Sequence, residues 1–470
     1  MIEEKPILEK TTNSDQPYIS PKTKLPELTF KAILLGAGLS VILSAANAYF
    51  GLFAGLTVSA SIPAAVISMA ILRLFRNSNI LENNLVQTAA SAGESLAAGG
   101  IFTIPALVIM GYWNEFNYWE TTLIALTGGI LGILFTIPLR NALIVKEKLK
   151  FPEGLATAEV LKTGETGGKS IKFLLWGGLV GGLFKISEAV LNIWEGTFEK
   201  AAFLNQKVYL YLGLNLSPAL VAVGYIVGLN IAFLVFLGGA ISWYIAIPAY
   251  IATVGPPVGV TDPETIGITI WSGQIRYLGV GAMVVGGLWA LVNLRNSLST
   301  AFTSGIEAFK AGSDQLKNRL RTEMDTPMSW VLIGIGVLVV PIFIIYLREI
   351  QQVTITALMT VIMVIAGFLF SAVAGYMAGL VGSSNNPISG VTIATILASA
   401  LLLAALMGTA DPGRGAAAAI LIGAVVCCAA AIAGDNMQDL KAGFILGATP
   451  YKQQIMQVVG VSAGAFAIAP

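Results

Sequence analysis

The chain has 470 residues, of which 56% are hydrophobic and only 11% charged, with a mean hydropathy of +0.78. Soluble domains carry about 25% charged residues, so the expected fold class is an all-α polytopic membrane protein. Net charge is +1 and His is absent, which speaks against a nucleic-acid partner and removes His-based proton relays, catalytic dyads and His metal sites.

Residues 1–28 form a charged, Pro-punctuated segment expected to be a mobile cytoplasmic tail. Apolar runs follow at 29–50, 54–74, 84–110, 120–139, 172–194, 217–238, 240–256, 277–294, 328–347, 353–381, 391–408, 415–434 and 455–470. These give about 13 transmembrane segments, each near the ~20 residues a bilayer needs. With the N-terminus in the cytoplasm, most Lys and Arg fall in the tail and the inside loops. Lys200, Lys207, Arg276, Arg348 and Arg414 fall outside, and Lys185 lies within a span. This asymmetry is the one expected of inside-positive loops. The loop 111–119, with paired aromatics and no basic residue, reads as an outer interfacial belt. Two inside loops are long. Loop 140–172 is basic, and 295–327 reads as an exposed amphipathic helix. The adjacent Cys427 and Cys428 sit in an apolar run and read as packing residues.

An internal repeat is visible. Residues 51–61 resemble 386–396 around Gly55-Leu56-Thr57 and Gly390-Val391-Thr392. Residues 89–94 (AASAGE) resemble 430–435 (AAIAGD), each ending in a carboxylate. Ordered matches favour a duplicated half, a common transporter construction, and on this topology the halves would be inverted. A first transmembrane repeat over 29–330 would precede an incomplete second over 331–470. Because the second copy runs out soon after its carboxylate, the chain is expected to be a C-terminally truncated version of a longer protein.

Charge inside a membrane is costly and is usually kept for a use. Glu94 lies in VQTAASAGESLAAGG with no basic residue near in sequence, and Asp435 reads as the end of a Gly/Ala helix. Lys185 and Glu188 stand three apart on one helix face, in reach of each other. These four are the proton-coupling candidates; an ion pair that neutralises itself is the plain alternative for Lys185 and Glu188. The stretch 379–396, GLVGSSNNPISGVTIATI, is too broken by Gly and Pro for ordinary helix. It reads either as a loop or as an unwound segment at membrane depth, tolerated only where it is buried in protein or lines water. Ser384, Asn385 and Asn386, with Gln438 and with Asn47 and Tyr49 at the first-half break, are the substrate-binding candidates. No metal site and no cofactor are expected. TGETGGKS at 163–170 resembles a phosphate-binding loop, but Thr163 stands where Gly belongs and no strand–helix unit surrounds it. No Gly-x-Ser-x-Gly elbow is present, and the chain is not expected to be an enzyme.

FPEGLATAEVLKTGE (151–165), GLVGSSNNPISGVTI (379–393), GDNMQDLKAGFILGATPYKQQ (434–454) and NAYFGLFAGLTVSASIPAAVIS (47–68) resemble the oligopeptide transporter (OPT) family, on its prokaryotic and yellow-stripe-like side. The resemblance implies a secondary transporter with more spans than this chain offers. It also implies proton coupling, and small peptides or peptide-like metal chelates as substrate. The Asn-Pro-Gly motif of the peptide-carrying clade is absent, because Asn386-Pro387 is followed by Ile388, and so is its Lys-Ile-Pro-Pro-Arg motif. The expectation is a proton symporter in the inner or plasma membrane; the rival is a channel or facilitator for small polar solutes.

Overall fold

The computed structural model describes residues 16–470 except 55–56, 58, 76, 167–168, 205–207, 217, 219–220, 222–224, 226–228, 283–284, 287–288, 290–319, 385, 387 and 409–410. The chain divides into two compact units, one of residues 1–166 with 287–470 and the other of residues 167–286. Among the described residues, eight helices are long and apolar enough to cross a membrane.

The larger unit is helical. Its helices are α1 (Phe30–Ala54), α2 (Ser61–Leu72), α3 (Ile80–Ile101), the short α4 (Pro105–Ile109), α5 (Tyr118–Arg140) and α6 (Pro152–Thr166). The second unit, described below, contributes α7 (Lys169–Ala189), α8 (Leu229–Ala240), α9 (Ile247–Thr253) and α10 (Pro263–Ile270). The larger unit then resumes with α11 (Met328–Ile350), α12 (Val353–Val381), α13 (Ile388–Met407), α14 (Pro412–Leu446) and α15 (Pro450–Ile468).

Helix α14 is the axis of this unit. Its 35 residues make it about 52 Å long, more than the ~30 Å of a hydrocarbon core. From Ala416 to Gly434 it is apolar on every face and rich in Ala, and a helix apolar all round belongs in the interior. Helices α3, α5, α6, α12 and α13 pack around it, and its most apolar window is 94% buried. Small residues let the backbones close in, as they do between helices in lipid. A Cβ on Gly132 of α5 would lie 2.6 Å from the Ala429 carbonyl oxygen. Cys427 and Cys428 are both buried and free, packed as expected among these neighbours.

Three features differ from the sequence-based expectation. Asp435 does not close its helix; α14 continues through it to Leu446 and ends on Gly447 in the left-handed region. The stretch 152–166, expected in a solvent-facing loop, is α6, packed on α14 and α2 with Phe151, Ala158 and Leu161 buried. Residues 16–28 are not loose. Tyr18 and Ile19 N–H groups donate to the carbonyls of Ile445 and Leu446, and the buried Glu27 accepts from Thr449 N–H, Thr449 Oγ1 and Lys452. Arg321 donates to the Ser20 and Thr23 carbonyls, tying segment 321–323 to the same strap. The polar residues that suggested a tail therefore satisfy helix-end groups that would otherwise be orphaned.

The smaller unit adds a strand pair to an otherwise helical protein. Strands β1 (Thr197–Leu204) and β2 (Val208–Asn215) are antiparallel, with Thr197 opposite Asn215 and Leu204 opposite Val208. Tyr211 stacks on Trp243 at 3.8 Å between ring centroids. The expected spans 217–238 and 240–256 are not separated at 239, since Ala232–Thr253 forms one continuous helical stretch. Most of the expected helix at 295–327 lies outside the described residues.

Candidate functional site

Two chain breaks define the site. Helix α1 stops at Ala54 and α2 starts at Ser61; α12 stops at Val381 and α13 starts at Ile388. Beside each break runs an unbroken helix carrying a carboxylate, Glu94 on α3 and Asp435 on α14. These parts enclose a cavity of about 30 Å³. From the first half come Asn47, Thr57, Ser59, Glu94, Ser95 and Ala98. From the second half come Ser383, Ser384, Asn386, Ile388, Ala431 and Asp435. The repeat match that pairs Glu94 with Asp435 thus pairs two walls of one cavity. The match that pairs Thr57 with Thr392 does not do so, because Thr57 is in the break and Thr392 is inside α13.

Hydrogen bonds fix the lining. Asn47 Nδ2 donates to Glu94 Oε1, and the Ala60 N–H, at the start of α2, donates to Glu94 Oε2 at 3.2 Å. Ser95 Oγ donates to Asp435 Oδ2. Asn386 Nδ2 donates to the Ala374 carbonyl at 3.1 Å, while its buried Oδ1 has no partner among the described residues. Among the described residues the lining contains two carboxylates and no Lys or Arg. Keeping both carboxylates ionised in so small a space costs desolvation and mutual repulsion, which one bound proton or one cationic ligand group relieves.

The sequence candidates separate into three groups. Glu94, Asp435, Asn47, Ser384 and Asn386 come together at the cavity. Tyr49 is within α1 but 74% exposed and off the lining, and Gln438 is fully buried behind it, joining Gly154 N–H to the Ala378 carbonyl. Lys185 and Glu188 lie on α7 in the other unit; the Lys185 side chain and the whole of Asn385 lie outside the described residues. Among the described residues, no group of His, Cys, Asp and Glu is arranged to hold a metal ion.

Two further carboxylates escaped sequence reasoning. Asp439 stands one helical turn beyond Asp435 and is buried. It accepts from Ser61 Oγ at 3.0 Å and from Gln87 Nε2. The i, i+4 spacing was its signal. Glu153, at the start of α6, accepts from Ser383 Oγ and from the Ser384 N–H. Nothing local marked it, because its partners stand over two hundred positions away.

The OPT oligopeptide transporter protein family matches residues 27–470. The chain belongs to the OPT oligopeptide transporter family. Among its relatives in that family is a Haemophilus influenzae protein named "Putative oligopeptide transporter". It is 36% identical over 440 residues, covering 90% of this chain and 69% of the relative. A metal-nicotianamine transporter of Arabidopsis thaliana is 23% identical, covering 97% of this chain and 73% of its own length. An iron-phytosiderophore transporter of Oryza sativa subsp. japonica is 24% identical, covering 94% and 71%. Membership makes the protein a multi-pass membrane transporter, in keeping with its apolar helices.

Proposed function

We propose that this OPT transporter is a proton symporter that carries small oligopeptides or peptide-like metal chelates across the inner or plasma membrane. The observation that carries this reading is the cavity at two facing helix breaks with a carboxylate on each side. Broken helices supply free backbone groups and amide side chains for a ligand at membrane depth. Acidic groups with no cation in the lining suit a ligand that brings an ammonium group or a chelated metal. At about 30 Å³ the cavity holds little more than a water or two, so substrate entry requires the breaks to part. That favours a carrier, which opens to one side at a time, over a channel. The relatives' names support both substrate classes.

Reconstituted protein given tritiated trialanine or ferrous nicotianamine, with an inward proton gradient, tests the reading. Saturable uptake that collapses with an uncoupler is expected. Flux that rises linearly with concentration and ignores the uncoupler would establish the channel instead. In the same assay Asn386→Ala, which removes an amide from the lining, should weaken half-saturation. Loss of one or two hydrogen bonds is worth about 1–3 kcal/mol, or roughly 5- to 150-fold. An unchanged half-saturation removes Asn386 from the binding surface.

The orientation we propose has the N-terminus in the cytoplasm, loop 111–119 outside, and 140–172 and 295–327 inside. Glu115→Cys, in a background lacking Cys427 and Cys428, should react with an impermeant maleimide added to intact cells. Protection in intact cells with labelling only after lysis would reverse the scheme.

A further inference from the structure

We propose that Glu153 is a positioning residue of the cavity: its carboxylate holds the broken segment between α12 and α13 in the shape that lines it. The inference rests on the reading of the cavity as the substrate site, and it adds a residue from a stretch whose sequence reads as a loop.

Among the described residues after Val381, the Asn386 N–H donates to the Ser383 carbonyl and the Ile388 N–H to the Asn386 carbonyl. Gly382 sits at φ +88° and its N–H still donates to the Ala378 carbonyl, but Ser383 and Ser384 have left the helix. Glu153 meets both of them, and Asp435 also meets the Ser383 hydroxyl. Glu153 Oε2 accepts from Ser383 Oγ, and Oε1 accepts from Ser384 N–H at 2.9 Å. Both serines line the cavity. A carboxylate can accept on two oxygens at once, whereas a glutamine offers a single acceptor oxygen. The room for it comes from Gly382, where a Cβ would lie 2.6 Å from Glu153 Oε1.

Glu153 is itself held from three directions. It stands in the first turn of α6 after Pro152, where the helix dipole favours negative charge. The N–H of Phe151, a buried residue at φ +50°, donates to the Gly379 carbonyl at 3.0 Å. From α14, Gln438 Oε1 accepts from Gly154 N–H at 2.8 Å and Gln438 Nε2 donates to the Ala378 carbonyl at 2.6 Å. The last carbonyls of α12 and the first N–H groups of α6 are thereby satisfied by each other and by α14. The Phe151–Gly154 turn is a clamp at the end of α12, and Glu153 is the arm of it that reaches the cavity rim. Asp435, one turn before Gln438 on the same helix, also lines the cavity. A shift of α14 therefore moves both the carboxylate wall and the clamp.

The test uses the full chain with two readouts. Hydrogen–deuterium exchange in detergent follows the Ser384 amide, and trialanine or ferrous-nicotianamine uptake in proteoliposomes follows the site. Glu153→Gln should speed exchange at Ser384 at least tenfold and raise half-saturation about tenfold. Maximal uptake should stay within twofold, and the unfolding midpoint should remain near that of the parent. Glu153→Asp should fall between parent and Gln. Gly382→Ala, which pushes on the same carboxylate, should reproduce the phenotype. Because Ala at φ +88° also strains the backbone, Gly382→Ala should be at least as severe as Glu153→Gln, and adding Glu153→Gln to it should change exchange at Ser384 little further. Unchanged exchange at Ser384 in Glu153→Gln would overturn the clamp. Faster exchange with unchanged half-saturation would overturn its role at the site. If the parent carries neither probe, the reading of the cavity fails separately, and the exchange result still decides whether Glu153 holds the segment.

Discussion

Glu94→Gln is expected to abolish accumulation against a gradient while leaving exchange of substrate across the membrane largely intact. Glutamine keeps the size of the side chain and can still accept from Asn47 or from the Ala60 N–H, the two donors that now face the carboxylate. It cannot release a proton. A carrier coupled to one proton can hold a tenfold substrate gradient per pH unit, because one unit is worth about 1.4 kcal/mol. The parent should approach that ratio in proteoliposomes at a one-unit gradient, and Glu94→Gln should stop at a ratio near one. Counterflow, which needs binding and reorientation but no net proton movement, should persist. If Glu94→Gln accumulates substrate as well as the parent does, Glu94 is a hydrogen-bonding residue and the coupling role passes to Asp435 across the cavity.

Gly460→Ala should unfold or severely destabilise the protein, although it adds one methyl group. Helix α15 crosses α1 and α3 here at backbone distance. Ser40 Oγ donates to the Gly460 carbonyl at 2.6 Å, and a Cβ on Gly460 would lie 1.9 Å from the Ala89 carbonyl oxygen. The obstacle is main chain within a helix, so it cannot turn away as a side chain could. Overpacking in a well-filled core costs about 1–3 kcal/mol; with a rigid obstacle the upper end or beyond is expected. The unfolding midpoint of the purified variant measures it. A midpoint equal to the parent's would mean that α15 can back away from α3 at no cost.

Much of this was legible in the sequence because membranes simplify the code. The cost of burying charge singled out Glu94 and Asp435, and the Gly/Pro punctuation of 379–396 located the second break. Several of the misreadings share one cause. Polar residues were taken to mean water, but in α14 Asn436, Gln438 and Asp439 are buried, and the partners of Gln438 and Asp439 come from other helices. Such partners are remote in sequence: Gln438 meets Gly154, and Asp439 meets Ser61 and Gln87. The same applies to residues 16–28, where Glu27 pairs with Thr449, Lys452 and Arg321. The strand pair was within reach, since VYLYLGLN alternates large and small or polar positions with period two, but it was masked by the surrounding apolar runs.

The depth of α14 has a consequence for how the lipid reaches the site. The corresponding apolar windows of α1, α12 and α13 are only 39%, 28% and 33% buried, against 94% for α14. A change in bilayer thickness therefore loads these three helices, as it does α11, at fractions of a kcal/mol per Å of mismatch, more than it loads α14. Two of those three, α1 and α12, end at the breaks that line the cavity, and the third, α13, starts from one. Tilting them in a thinner or thicker membrane would change the rim against a fixed Asp435. Acyl-chain length then becomes a control on the balance between open and closed forms that acts without touching either carboxylate.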